Sequence, residues 1–210
     1  MEEFVPYISI SNGTFSTPSG DFDKLEAIMV EVSTTSKIYY KGEFEEGATP
    51  VCFANDGVSP SEGSSEPQAK KCAVCFQNQW GSKITDNRRK GKACMDSTRA
   101  VLFSNEDLTA PLSLRISATT AKNLNSYRGQ VADRGVGLHD VVTEITFDKS
   151  VDYPLLAFKA IRFVGEGDKE KVEDAIDRHK EAVAYVLENA LSSLDKQVPF
   201  AKTDGFTIDK

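Results

Sequence analysis

Histidine and tryptophan are scarce in this 210-residue chain, and long apolar runs are missing. The two histidines are His139, just before a segment of strand character, and His179, among charged residues. Neither belongs to a Ser-His-Asp spacing or an H-E-x-x-H helix, and no phosphate-binding P-loop is present. Acids such as Glu43, Glu45 and Glu46 read as a solvated loop, and Asp56-Gly57 as a turn. The chain is therefore expected not to be an enzyme. No apolar run is long enough for a transmembrane helix, so no membrane partner is expected. The N-terminus, MEEFVPYISIS, has acids where a secretory signal needs bases, and it lacks an apolar stretch. Without export, stable disulfides are not expected.

What remains is an ordinary composition with an uneven distribution. At 40% hydrophobic and 27% charged, the chain has material for a real core, in one domain with an insertion or in two small ones. The net charge is −7, yet residues 70–99 carry Lys70, Lys71, Lys83, Arg88, Arg89, Lys90, Lys92 and Arg99 against only Asp86 and Asp96. Residues 1–50 carry nine acids and three bases. A basic island in an acidic protein points to a polyanion-binding surface, with a plain basic loop as the alternative.

The same island holds all four cysteines: Cys52, Cys72, Cys75 and Cys94. Cys72 and Cys75 form a C-x2-C knuckle that aims two sulfurs at one point, and the outer pair lies at nearly equal distances on either side. Four thiolates in this pattern suit one tetrahedral, structural Zn2+ per chain with no open position for catalysis. The intervening segment is rich in Gly, Ser, Pro and charge, so metal binding would supply folding free energy that its own core cannot. Two disulfides, a redox pair or four unrelated thiols are the competing readings.

Period-2 alternation predicts strands at Tyr7–Ser11, Lys24–Val32, Lys37–Tyr40, about Arg99–Ser104, Leu112–Ile116, Asp140–Phe147 and Tyr153–Val164. The TPSGDFD stretch reads as a loop. Ser117, Thr119 or Thr120 caps a helix to about Asp133, with Leu124, Tyr127 and Val131 on one face. A long helix is expected over Asp168–Leu194, from the spacing of Val172, Ile176, Val183, Leu187, Leu191 and Leu194. Residues 195–210 read as a flexible tail. The class is α+β, mainly β: a five- to six-stranded barrel of the oligonucleotide-binding (OB) type over residues 1–165 fits, as does a generic α+β sandwich, with the cysteine insertion at about 48–98.

The run P-x-C-x-x-x-D-G, S-x-x-P-Q, C-x-x-C-x-x-N-x-W-G-S and G-K-A-C is carried here by Pro50, Cys52, Asp56, Gly57, Ser65, Pro67, Gln68, Cys72, Cys75, Asn78, Trp80, Gly81, Ser82 and Gly91 to Cys94. It resembles a family of zinc-containing single-stranded-DNA-binding proteins of tailed bacteriophages, and the likeness spans about residues 5–165. Phe76 stands where that family carries proline. The resemblance implies an OB-type barrel with a zinc insert, acting in phage DNA replication or recombination in the cytoplasm of the infected bacterial host.

That function would use phosphate neutralisation by Lys83, Arg88, Arg89, Lys90, Lys92 and Arg99. It would also use base stacking on Trp80, Phe76, Phe53, Tyr39 or Tyr40. Trp80 stacks on bases or packs over the knuckle as a small core. Tyr39 and Tyr40 are strand neighbours, so at most one faces the core, whereas Phe103 and Phe147 read as core. Replication or recombination proteins would meet the C-terminal tail, which is only weakly acidic. The alternative is a zinc-stabilised interaction factor whose basic insert docks on an acidic protein.

Overall fold

A computed structural model describes residues 5–42, 48–84 and 88–189. Its frame is a curled, mixed sheet, and the order of strands within it decides where the cysteine insert can reach. The strands are β1 (Tyr7–Ser11), β2 (Thr14–Thr17), β3 (Gly20–Phe22), β4 (Lys24–Val32), β5 (Ser36–Tyr39), β6 (Cys52–Ala54), β7 (Lys83–Ile84), β8 (Lys90–Gly91), β9 (Cys94–Ser104), β10 (Leu112–Ser117), β11 (Val141–Phe147) and β12 (Leu156–Phe163). The main path runs β12-β11-β4-β9-β10-β1-β2-β3, with β5 joined to β9 and β6 to β5. β1 and β10 pair in parallel, while the other pairs are antiparallel. β7 and β8 form a separate two-stranded hairpin in the insert.

Period-2 alternation buries both faces of the central strands. Ala27 and Met29 of β4, Ala100 and Leu102 of β9, Leu114 and Ile116 of β10 and Ile145 of β11 form the principal core. It is closed by Leu124, Tyr127 and Val131 of α1 (Ala118–Ala132). Phe15 is fully buried there and stacks on Phe147 at 4.3 Å between ring centres, a burial worth about 1.5–3 kcal/mol. The Tyr127 hydroxyl meets the Thr143 hydroxyl at 2.6 Å, so the polar tip of the ring is satisfied inside the core.

On the opposite face lies α2 (Glu166–Glu188). Ala182, Val183 and Val186 cover Val101 and Val5, and Val172 covers Ile28 and Val142. His179 is buried and its ring lies 5.8 Å from that of Phe103, so it belongs to this interface and not to a charged surface. Among the described residues, no helix is long and apolar enough to cross a membrane.

The architecture is α+β and mainly β, as the alternation suggests, but a count of five or six strands is too low. The TPSGDFD stretch is a loop only at the turn of Pro18 and Ser19 and at Asp23: Thr17 ends β2, Gly20–Phe22 form β3, and the two strands pair through Phe15↔Phe22. β9 begins at Cys94 instead of near Arg99, so the sheet resumes at the last cysteine itself. Ser117 is the cap of α1, accepting a bond from the Thr120 N–H at 3.3 Å. α2 starts two residues earlier than expected, and Leu191, Leu194 and the expected tail at 195–210 lie outside the described residues.

Candidate nucleic-acid interface

The insert is held together by side chains bonding to backbone, since it contains little apolar material. The Asp56 carboxylate accepts from the Val58 and Ser59 N–H groups at 2.8 and 3.1 Å. Gly57 follows with φ +69°, and a Cβ there would lie 2.2 Å from the Thr35 carbonyl oxygen, so only glycine fits. Ser64 Oγ accepts from the Phe53 N–H and donates to the Phe53 carbonyl, both at 3.0 Å.

Cys72 and Cys75 bound a 3-10 turn, closed by the Cys75 N–H to Cys72 carbonyl bond. Asn78 Nδ2 donates to that same carbonyl at 2.9 Å. Ser82 Oγ donates to the Gln77 carbonyl and accepts from the Ala93 N–H, both at 2.9 Å, tying the knuckle to the residue before Cys94. The residues flanking Trp80 in the N-x-W-G-S run thus have structural tasks: Asn78 and Ser82 by these bonds, Gly81 by its φ of +92°.

All four thiols are buried, none is in a disulfide, and all four line one small cavity together with Tyr39, Gln68 and Asn78. Cys52 and Cys94 reach it from the sheet, Cys72 and Cys75 from the knuckle. The Cys94 thiol stands at about 11, pushed up first by burial, drawn partly back by Lys37 and pushed up again by the other three cysteines. Cys72 is raised too, first by burial and then by Cys52. Among the described residues no three Cys, His, Asp or Glu side chains form a ready metal-binding group. The donor set gathered around the cavity is nonetheless four soft sulfurs, the chemistry that a structural Zn2+ takes.

Beside the thiol cavity runs an open groove of about 530 Å3, and Cys94 borders both. Trp80 and Lys92 reach it from the insert, Tyr7 and Ile10 from β1, Met95 from β9 and Arg115 from β10. Trp80 is 76% exposed, so it does not pack as a small core over the knuckle. Asp96, at the same groove, binds Lys37 at 2.6 Å and Lys92 at 2.5 Å. Burial pushes its carboxyl up, but the hydrogen bonds from the two lysines outweigh this and hold it below the usual range.

The expected contact residues are dispersed. Phe76 is 71% exposed on the knuckle, and Lys83, Arg88, Arg89 and Lys90 are exposed on or beside the β7–β8 hairpin. Arg88 has a positive φ of 56°. Lys92 is half-buried in its pair with Asp96. Phe53 is half-buried beneath Gly63, and Tyr39 faces the thiol cavity. Tyr40 is half-buried, its phenol pushed up by burial and drawn partly back by the nearby Arg115 guanidinium.

Arg99 requires correction: it is 3% exposed, on a strand between β4 and β10, and cannot lie along an open phosphate path. Sequence reasoning passed over Tyr7 and Arg115. Arg115 did carry a signal, as the one charge in the strand LSLRIS.

No family model matches the chain, and no curated protein or solved structure does so either.

Proposed function

We propose that this chain is a non-sequence-specific single-stranded-DNA-binding protein of phage replication or recombination, an OB-type barrel in which a zinc insert builds one wall of the binding groove. The observation that carries the reading is Trp80. Its neighbours Asn78, Gly81 and Ser82 each shape the insert, whereas the indole is exposed at the rim of a groove that also receives Arg115. An exposed indole beside cations offers a face to any base, which is what sequence-tolerant binding of a single strand needs. The curled sheet with one helix before its last two strands is compatible with an OB-type barrel.

In this reading, Lys83, Arg88, Arg89 and Lys90 neutralise phosphates on the approach, and Phe76 and Trp80 stack on bases. Cys52, Cys72, Cys75 and Cys94 hold one Zn2+, which cross-links the insert. Val74 and Ile84 are also largely exposed, at 77% and 67%, and aliphatic side chains are of little use to a base. They favour the second reading, in which the basic insert docks on an acidic protein.

The test is a titration of zinc-quantified protein with oligo-dT and with duplex of equal length, at two salt concentrations, followed by fluorescence. Trp80 is the only tryptophan, so the signal has one source. Quenching by oligo-dT well before duplex, weakened by salt, is the expected result. Equal, weak binding to both would move the function to a protein partner.

A further inference from the structure

The groove beside Trp80 has room for more than a stacked ring. At about 530 Å3 it lies within the range of about 300–1,000 Å3 of sites that enclose small ligands. Its lining divides by chemistry. Ile10, Met95 and the Trp80 ring are apolar, and Lys92 is paired with Asp96. Among the described lining residues Arg115 is the remaining cation, and its Nε donates to Ser97 Oγ at 3.2 Å, using one of five donors.

Arg115 also stands in register with Arg99 on β9. A second guanidinium behind Arg115 raises the positive potential at this point of the sheet, which favours an anion at Arg115. Consistent with this, burial first and then Arg115 hold the Arg99 guanidinium down at about 10. Ser117 and Thr119, at the start of α1, border the same groove, where the helix dipole adds positive potential. Tyr7 is paired with Ser113, so alternation places it on the face of the sheet that Arg115 occupies two residues further along.

We propose that the groove is a nucleotide seat: one base of the single strand lodges against Trp80 over Met95 and Ile10, its phosphate is held by Arg115, and Tyr7 stacks on the next base. This rests on the single-strand reading and extends the path of the strand from the insert onto β1 and β10, where the exposed cations of the hairpin do not reach.

The experiment is a salt series of oligo-dT binding for the full chain and for Arg115→Met, Arg115→Lys, Tyr7→Leu and Trp80→Ala, with thermal melting of each variant. Arg115→Met is expected to flatten the slope of log K against log salt by about 0.7, the share of one phosphate on a single strand, while Arg115→Lys keeps it. Tyr7→Leu is expected to weaken binding by about 5- to 150-fold with the slope unchanged. Should Arg115→Met fail to melt cooperatively, Tyr7→Leu decides. Parental affinity and slope in folded Arg115→Met and Tyr7→Leu, with Trp80→Ala still weak, overturn the seat and leave the single-strand reading standing. No binding of oligo-dT by the parent protein overturns both.

Discussion

Cys52 and Cys94 face the same residue, Tyr39, from the two strands that flank β5. Neighbouring strands lie about 4.8 Å apart, which sets these two backbones roughly 10 Å apart. A disulfide needs Cα atoms within about 7 Å, so the two cannot bond without displacing β5. A cation shared with Cys72 and Cys75 reaches further, through metal–sulfur bonds of about 2.3 Å each. Purified protein is expected to carry one zinc per chain by elemental analysis, and Cys75→Ser or Cys94→Ser to lose it. Lys70, Lys71 and Lys83 are exposed already, so chelation should speed tryptic cleavage beside them by loosening the insert backbone, while the sheet stays resistant because the core packs without the insert. Four titratable thiols and no metal would sink the zinc assignment.

Trp80→Ala separates binding from folding. An indole 76% exposed contributes little to stability, so the melting temperature should shift by no more than about 0.5 kcal/mol implies. Oligo-dT affinity should fall by about 1–3 kcal/mol. A large loss of stability with unchanged affinity would instead make Trp80 part of the fold.

How much of this was legible depended on the length of each pattern. β4 could be read to its bounds, because nine residues alternate between two apolar faces, and the hydroxyls of Ser117, Thr119 and Thr120 announced the start of α1, though not which of them caps it. β2 and β3 could not: four and three residues hold too few alternations, and β3 is exposed throughout. The first five residues of β9, CMDST, show no apolar alternation, and they are strand because β5 pairs with them. The cysteine cluster was legible from spacing alone. The groove was not, since it joins Tyr7, Trp80 and Arg115, which only the pairing of β1 with β10 and the fold of the insert bring together.

Asp96→Asn tests the ion triad beside the thiols. The carboxylate is about four-fifths buried and takes a charge-assisted bond from Lys37 on one oxygen and from Lys92 on the other. Removing the charge leaves two half-buried ammonium groups facing an amide, which should cost about 1.5–3 kcal/mol of stability in a denaturant titration. The variant should retain oligo-dT binding, because Lys92 is then no longer neutralised by a carboxylate at the groove. Lost binding with unchanged stability would mean that Asp96 contacts the ligand.

Arg99→Met distinguishes a buried arginine from a phosphate contact. The folded protein holds this guanidinium down at about 10, through burial and then through Arg115. A base whose folded pKa is depressed opposes folding while charged. The penalty is therefore full at every pH below about 10 and fades only as pH climbs above it. Methionine keeps the aliphatic bulk and removes the charge. The variant should still melt cooperatively, and whatever stability difference it shows should stay constant between pH 6 and pH 9, both well below 10. Its salt slope with oligo-dT should match the parent's, since a side chain 3% exposed neutralises no phosphate. A slope flattened by about 0.7 at unchanged stability would return Arg99 to the binding path, which requires that β9 open to the strand.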